Sequence, residues 1–182
     1  MERTTDSTYA PQGPIGEAFC VSAAEPQDEP FLWLMLTYAA SMGGGGEEQI
    51  SVAQADPYLR TYVAEWGSRP GDLGVVARDG DGRNLGAAWL RLGGGGSAFK
   101  LSDSTVPELA TAVVPDARGT GVGTAMMRRL IADAVPLFGQ MVLSVRAENP
   151  ASRFYQRLGF TETTRMTNRV GGDSLVMALR LR

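Results

Sequence analysis

Between Glu108 and Val135 the chain passes from an apolar stretch through Pro115-Asp116-Ala117 into Arg118-Gly119-Thr120-Gly121-Val122-Gly123, and then into a helical pattern. Glycines at 119, 121 and 123 let the backbone approach an anion with no Cβ in the way. Amides at the start of the following helix have no intrahelical acceptor, and the positive end of the helix dipole sits among them. Such a turn suits a phosphate or diphosphate. Arg118 adds a formal charge beside it, unless its side chain turns to solvent. A P-loop would need Gly-Lys-Ser/Thr at the helix start, which Gly123-Thr124-Ala125 does not supply. A dinucleotide fold would need G-x-G-x-x-G directly off the strand, whereas here the spacing is G-x-G-x-G with Pro115 to Arg118 interposed.

The chain contains no histidine, so Ser-His-Asp and Cys-His machinery and imidazole zinc sites are excluded. Proton transfer falls to carboxylate, tyrosine, lysine, cysteine or water. The one cysteine, Cys20, has no partner for an internal disulfide and points to a reducing compartment. Its apolar neighbours Phe19 and Val21 favour a small buried hydrophobe over a nucleophile. A net charge of −3 gives no support for nucleic-acid binding. The longest apolar run, 31–40, is too short to span a bilayer, and the polar start shows no signal-peptide pattern, so a cytoplasmic protein is expected.

At 182 residues the chain suits one domain, expected over 17–182 behind a loose Pro/Gly/Thr-rich leader, 1–16. A strand is expected at 17–23. Asp28 and Pro30 begin a helix, 31–42, that is apolar on nearly every side: a buried core helix, or one that also lines a cleft or a subunit contact. A second helix should run from Ser51, or from Asp56-Pro57, to Trp66, with Tyr58, Leu59, Tyr62, Val63 and Trp66 at three- and four-residue steps. Strands 73–78 and 84–92 flank the hairpin signal Asp79-Gly80-Asp81-Gly82. A strand at 108–114 leads to the glycine run. The helix 121–135 sets Val122, Met126, Met127, Leu130, Ile131 and Ala134 on one face. A strand at 141–146 and a short helix through Leu158 follow, the latter capped by Asn149, with Pro150 in its first turn and Gly159 as its stop. Strands 160–164 and 174–180 close the chain. This order predicts an α/β fold with one twisted mixed sheet flanked by helices. Tetraglycine breaks at 43–46 and 93–96 are either natural loops or replacements for longer ones.

The segment Pro107 to Gly123 resembles the A motif of the GCN5-related N-acetyltransferase (GNAT) superfamily, and Asn149 to Phe160 resembles its B motif. The pair, with a strand between, is far more specific than a glycine loop alone, and the likeness extends over nearly everything after Gly16. It implies an acyl-CoA N-acyltransferase fold and transfer of acetyl from acetyl-CoA directly to a primary amine of a small molecule or peptide. It implies no metal. The resemblance places Val113, Val114 and Pro115 beside the pantetheine arm, and a strand bulge at Val113 or Val114 would turn an amide toward the thioester carbonyl. It rests the diphosphate on amides of Arg118, Gly119, Thr120, Gly121, Val122, Gly123 and Thr124, with Asn149 touching the arm or serving purely as a helix cap.

Tyr155 matches the family's general acid to the departing thiolate, against a reading as a core phenol. Glu108 is the candidate base for the amine, directly or through water, against a reading as a solvated strand-end carboxylate. Relatives are often dimers, which the apolar first helix would allow. A non-catalytic acyl-CoA-binding or regulatory module on the same fold is the alternative.

Overall fold

The computed structural model describes residues 19–42, 46–93, 105–168 and 171–182. The expected leader, and all but Gly46 and Gly93 of the tetraglycine segments, lie outside them. Seven strands form one sheet: β1 (Phe19–Ala23), β2 (Leu73–Asp79), β3 (Asn84–Arg91), β4 (Glu108–Val113), β5 (Gln140–Arg146), β6 (Thr161–Thr167) and β7 (Asp173–Arg180). Their order across the sheet is β1-β2-β3-β4-β5-β7-β6. Only β4 and β5 run parallel, because the helix between them carries the chain back across the sheet. The α/β mixed sheet expected from the element order is the one observed.

The helices are α1 (Glu29–Ala39), α2 (Glu47–Ala55), α3 (Pro57–Val63), α4 (Val122–Ala134) and α5 (Ala151–Arg157). Alternation along β3 sorts the helices that flank its two faces. A Cβ on Gly86 would come within 2.9 Å of the Met126 methyl, so this residue faces α4. Trp89 donates to the Tyr62 carbonyl and Arg91 to the Ala64 carbonyl, so the odd positions face α3. Gly86 has no room for a side chain, since a Cβ would also sit 2.8 Å from the Ala112 carbonyl oxygen. Between α4 and the sheet lie Val122, Met126, Met127, Leu130 and Ala134, on the face expected from its 3.6-residue period, with Ile131 of that face only partly buried.

Of the two starts expected for the second helix, the one at Asp56-Pro57 is observed: Asp56 leaves helical geometry (ψ 115°) and caps α3, accepting from Tyr58 N at 2.8 Å and Leu59 N at 3.2 Å, and the residues before it form the separate helix α2. Other local expectations change. The helix ends at Val63 rather than Trp66, as Ala64 turns extended (ψ 133°). Cys20 is exposed, not buried, since it faces outward from the edge strand β1. Finally, β6 runs on to Thr167, three residues past the expected end, in antiparallel register with β7. The Asp79–Gly82 hairpin forms as expected: Asp79 Oδ1 accepts from Asp81 N and Arg83 N, and Gly82 takes a φ of +82°.

Candidate active site

Strands β4 and β5 pair at one position only, Glu108 with Val142, and then separate. The β3–β4 ladder is regular from Arg91↔Glu108 to Gly86↔Val113, so alternate β4 residues turn their backbone groups away from β3. Pro107 is one of these, its carbonyl accepting from Val142 N at 3.1 Å, and Leu109, Thr111 and Val113 continue the series. Beyond the Val142 pairing, the groups of Thr111 and Val113 look into a gap. A cleft of about 1090 Å³ opens there. Its walls are Glu108 to Val113 of β4, Leu143 to Arg146 of β5, the C-terminal end of α1 with Leu36 and Tyr38, α3 with Tyr58 and Tyr62, and α5 with Tyr155.

The expected bulge is absent. Pairing with β3 is uninterrupted through Val113, and Val114 continues it by donating to the Leu85 carbonyl at 2.9 Å. The Val114 amide is therefore occupied and its side chain buried, which leaves Val113 as the last β4 residue with backbone groups toward the gap. Pro115 opens a single 3-10 turn, Pro115–Ala117, that swings the chain from the strand into the glycine run.

The glycine run lies at the surface beyond the strand end, and only its first residue, Arg118, borders the cleft. Gly119 and Gly121 take φ of +78° and +92°, a region closed to most side chains, and a Cβ on either would meet nothing within 4 Å. The first α4 bond is Ala125 N to Gly121 O at 3.0 Å. The amides of Val122, Gly123 and Thr124 thus precede any intrahelical acceptor, at the positive end of a 13-residue helix. Thr120 spends its hydroxyl on the Ala117 carbonyl (2.7 Å). The Arg118 side chain, though exposed, folds back toward the cleft. Its Nε donates to the Val113 carbonyl at 3.1 Å, and its guanidinium stacks 5.6 Å from the centre of the Tyr38 ring.

Glu108 is not a solvated strand end. It is 5% exposed and lies on the α3 face of the sheet, opposite Arg91. Burial pushes its carboxyl up to about 7, against a smaller lowering from a hydrogen bond that the Tyr62 hydroxyl donates to Oε1. Tyr58 continues this chain, its hydroxyl 3.0 Å from that of Tyr62.

Tyr155 comes to the cleft from the other face. Its neighbour Phe154 lies 3.8 Å from where a Cβ of Gly123 would stand, which puts α5 on the α4 side. The Tyr155 ring packs on Phe154 and Phe160 with centroids 5.4 and 5.7 Å away. The residue keeps intermediate exposure along the wall, yet the protein strips enough water from the phenol to push it up to about 12. Asn149 Oδ1 accepts from Ala151 N at 2.9 Å, so it caps the turn into α5 while lining the cleft.

Two features escaped the sequence reading. Tyr58 and Tyr62 were visible only as part of an apolar face, although their i, i+4 spacing aligns both hydroxyls. Arg91 was hidden inside a strand. It is fully buried, bound through Nε and Nη2 to Asp72 at 2.8 Å each and through Nη1 to the Ala64 carbonyl at 2.8 Å. An arginine amid Trp89, Leu90 and Leu92 was the available signal, because such a residue is buried only when paired.

Among the described residues no helix is long and apolar enough to cross a membrane. Residues 60–162 match the family model for the acetyltransferase (GNAT) domain. No curated protein matches the chain. Among solved structures, it is similar to yncA of Salmonella typhimurium, solved with its cofactor acetyl-CoA (22% identity, TM-score 0.63, covering 90% of this chain and 94% of that one). It is similar also to the ribosomal-protein-S18-alanine N-acetyltransferase of Escherichia coli (22%, 0.60, 90% and 94%). A third is the spermidine/spermine N-acetyltransferase SpeG of Vibrio cholerae (16%, 0.60, 90% and 92%). With the family model over more than half its length, and with the same fold as these enzymes, the chain belongs to the GNAT family of acetyl-CoA-dependent N-acetyltransferases.

Proposed function

We propose that the protein transfers acetyl from acetyl-CoA directly to a primary amine of a small molecule or peptide, with Glu108 as general base and Tyr155 as general acid. The observation that carries this reading is their placement on opposite faces of one split sheet, both bordering the gap between β4 and β5. The reacting carbonyl would lie between a group that takes a proton and a group that gives one.

The parts of the cleft divide the work. Amides from Gly119 to Thr124 would hold the diphosphate, helped by the α4 dipole. The pantetheine arm would complete the ladder that β4 leaves open, pairing at Thr111 and Val113, with Asn149 across from it. Arg118 would give up the Val113 carbonyl as the arm takes that position. The Val113 amide, already aimed into the gap, would stabilise the oxygen that gains charge as the amine attacks. A carboxyl near 7 is half ionised at neutral pH and able to accept the ammonium proton. A phenol near 12 stays protonated and able to donate to the departing thiolate. Tyr58, Leu59 and Met42 line the same cleft as Glu108 and give it aromatic and apolar surface for an acceptor. The structural neighbours act on ribosomal protein S18 alanine and on spermidine or spermine, which spans the peptide and small-amine classes proposed here.

The test is thiol release from acetyl-CoA against a broad panel of amines, repeated with Tyr155→Phe. CoA release with at least one amine is expected, with kcat down on the order of 10²-fold in the variant and acetyl-CoA affinity little changed. Equal losses in kcat and affinity would remove the general-acid role. Thermal stabilisation by acetyl-CoA with no release from any amine would favour an acyl-CoA-binding module instead.

A further inference from the structure

The short helix α3 is pinned at both ends. Asp56 caps its first turn. At the other end Arg91 donates to the Ala64 carbonyl at 2.8 Å and the Glu65 carbonyl at 3.2 Å, and is itself clamped by Asp72. The face so fixed presents Tyr58 and Tyr62, edge to face with ring centres 5.5 Å apart, and the inner hydroxyl donates to Glu108 Oε1. Arg91 stands directly across from Glu108 in register, yet its guanidinium is spent on Asp72 and the helix carbonyls. The carboxylate is therefore tethered by a neutral donor although a cation lies beside it.

We infer that Tyr62, backed by Tyr58, is a positioning residue for Glu108: it holds Oε1 and leaves Oε2 to meet the acceptor amine. The inference rests on the reading of Glu108 as the base. The same bond favours the ionised carboxylate and so opposes the effect of burial. Among the described residues, the other charged or titratable groups near the carboxyl are these. Arg91 lies on β3, with Asp72 neutralising it, and Asp56 stands at the head of α3. Arg146 of β5, Tyr155 of α5, Tyr38 of α1 and Arg118 border the same cleft.

The decisive experiment follows the Glu108 carboxyl carbon by ¹³C NMR over pH 5–9 in wild type, Tyr62→Phe and Tyr58→Phe, with Glu108→Gln to assign the signal. The acid limb of kcat/KM is measured beside it. Losing one hydrogen bond of ordinary strength should move the Tyr62→Phe midpoint upward by roughly one pH unit, with the kcat/KM limb following. Tyr58→Phe, at a half-exposed position that tolerates the change, should move both the same way by less. Unchanged midpoints in both variants would overturn the inference and leave the tyrosines as packing groups. Wild-type rates in Glu108→Gln would remove the base itself. A nearly inactive Glu108→Gln beside an unshifted Tyr62→Phe titration would remove only the tyrosine's role.

Discussion

The two walls of the cleft treat a buried proton in opposite ways. On the α3 wall Glu108 is pushed up by burial but answered by a hydrogen-bond donor, and it rests near neutrality. On the α5 wall the Tyr155 ring packs on Phe154 and Phe160, and burial carries its phenol to about 12. The difference lies in the supporting structure. Behind Glu108 stands a sequence of directed bonds: Tyr58, Tyr62, the capped ends of α3, Arg91 and Asp72. Behind Tyr155 there is apolar packing. On the proposed reading one wall exchanges a proton near pH 7, and the other stays protonated there.

The largest way to break this asymmetry is to remove its anchor. Arg91→Met would leave Asp72 buried without its cation and release the end of α3. We expect a stability loss of about 3–5 kcal/mol in urea denaturation, largely recovered when Asp72→Leu is added. A loss below about 1 kcal/mol would show that the α3 wall does not depend on this pair.

Glu108→Gln keeps an acceptor for Tyr62 while deleting the titration. The folded carboxyl holds its proton up to about 7, whereas the unfolded one releases it near 4.5. Below 4.5 both states are protonated and the carboxyl costs nothing. Between 4.5 and 7 the unfolded state alone ionises, so wild-type stability falls as pH rises, by about 3 kcal/mol in all. Relative to wild type, the variant should gain that amount between pH 4 and 8 while losing on the order of 10²-fold or more in kcat. A pH-independent stability gap would contradict the shifted carboxyl.

The smallest effect belongs to the glycine run, which carries no titrating group. Gly121→Ala forces a Cβ onto a φ of +92°. About 1–2 kcal/mol of strain is expected, a few degrees of melting temperature, with CoA affinity falling and the pH profile unmoved. A shifted pH profile would mean that the two parts of the cleft are coupled.

The asymmetry also divides what could be read from sequence. The glycine run, α4 and the β-hairpin were legible because each depends on local chemistry: positive φ, helix period and turn side chains. Asn149 was legible for the same reason. Glu108 was nameable as a candidate, but its burial was not, since that depends on α3 folding over β4 from 46 residues away. The Arg91–Asp72 clamp likewise joins positions on different elements, so no spacing announces it. The expected bulge at Val113 or Val114 came from resemblance, and the regular β3 register replaces it. Cys20 misled because apolar neighbours do not fix which side of an edge strand a residue faces.

If the gap between β4 and β5 seats acetyl-CoA between these two walls, a crystal structure with acetyl-CoA will show it. The diphosphate is expected on amides of Gly119 to Thr124, the arm along Thr111 and Val113, and the thioester sulfur within hydrogen-bonding reach of the Tyr155 hydroxyl. A diphosphate bound away from the α4 N-terminus, or a sulfur on the far side of the cleft from Tyr155, would contradict it.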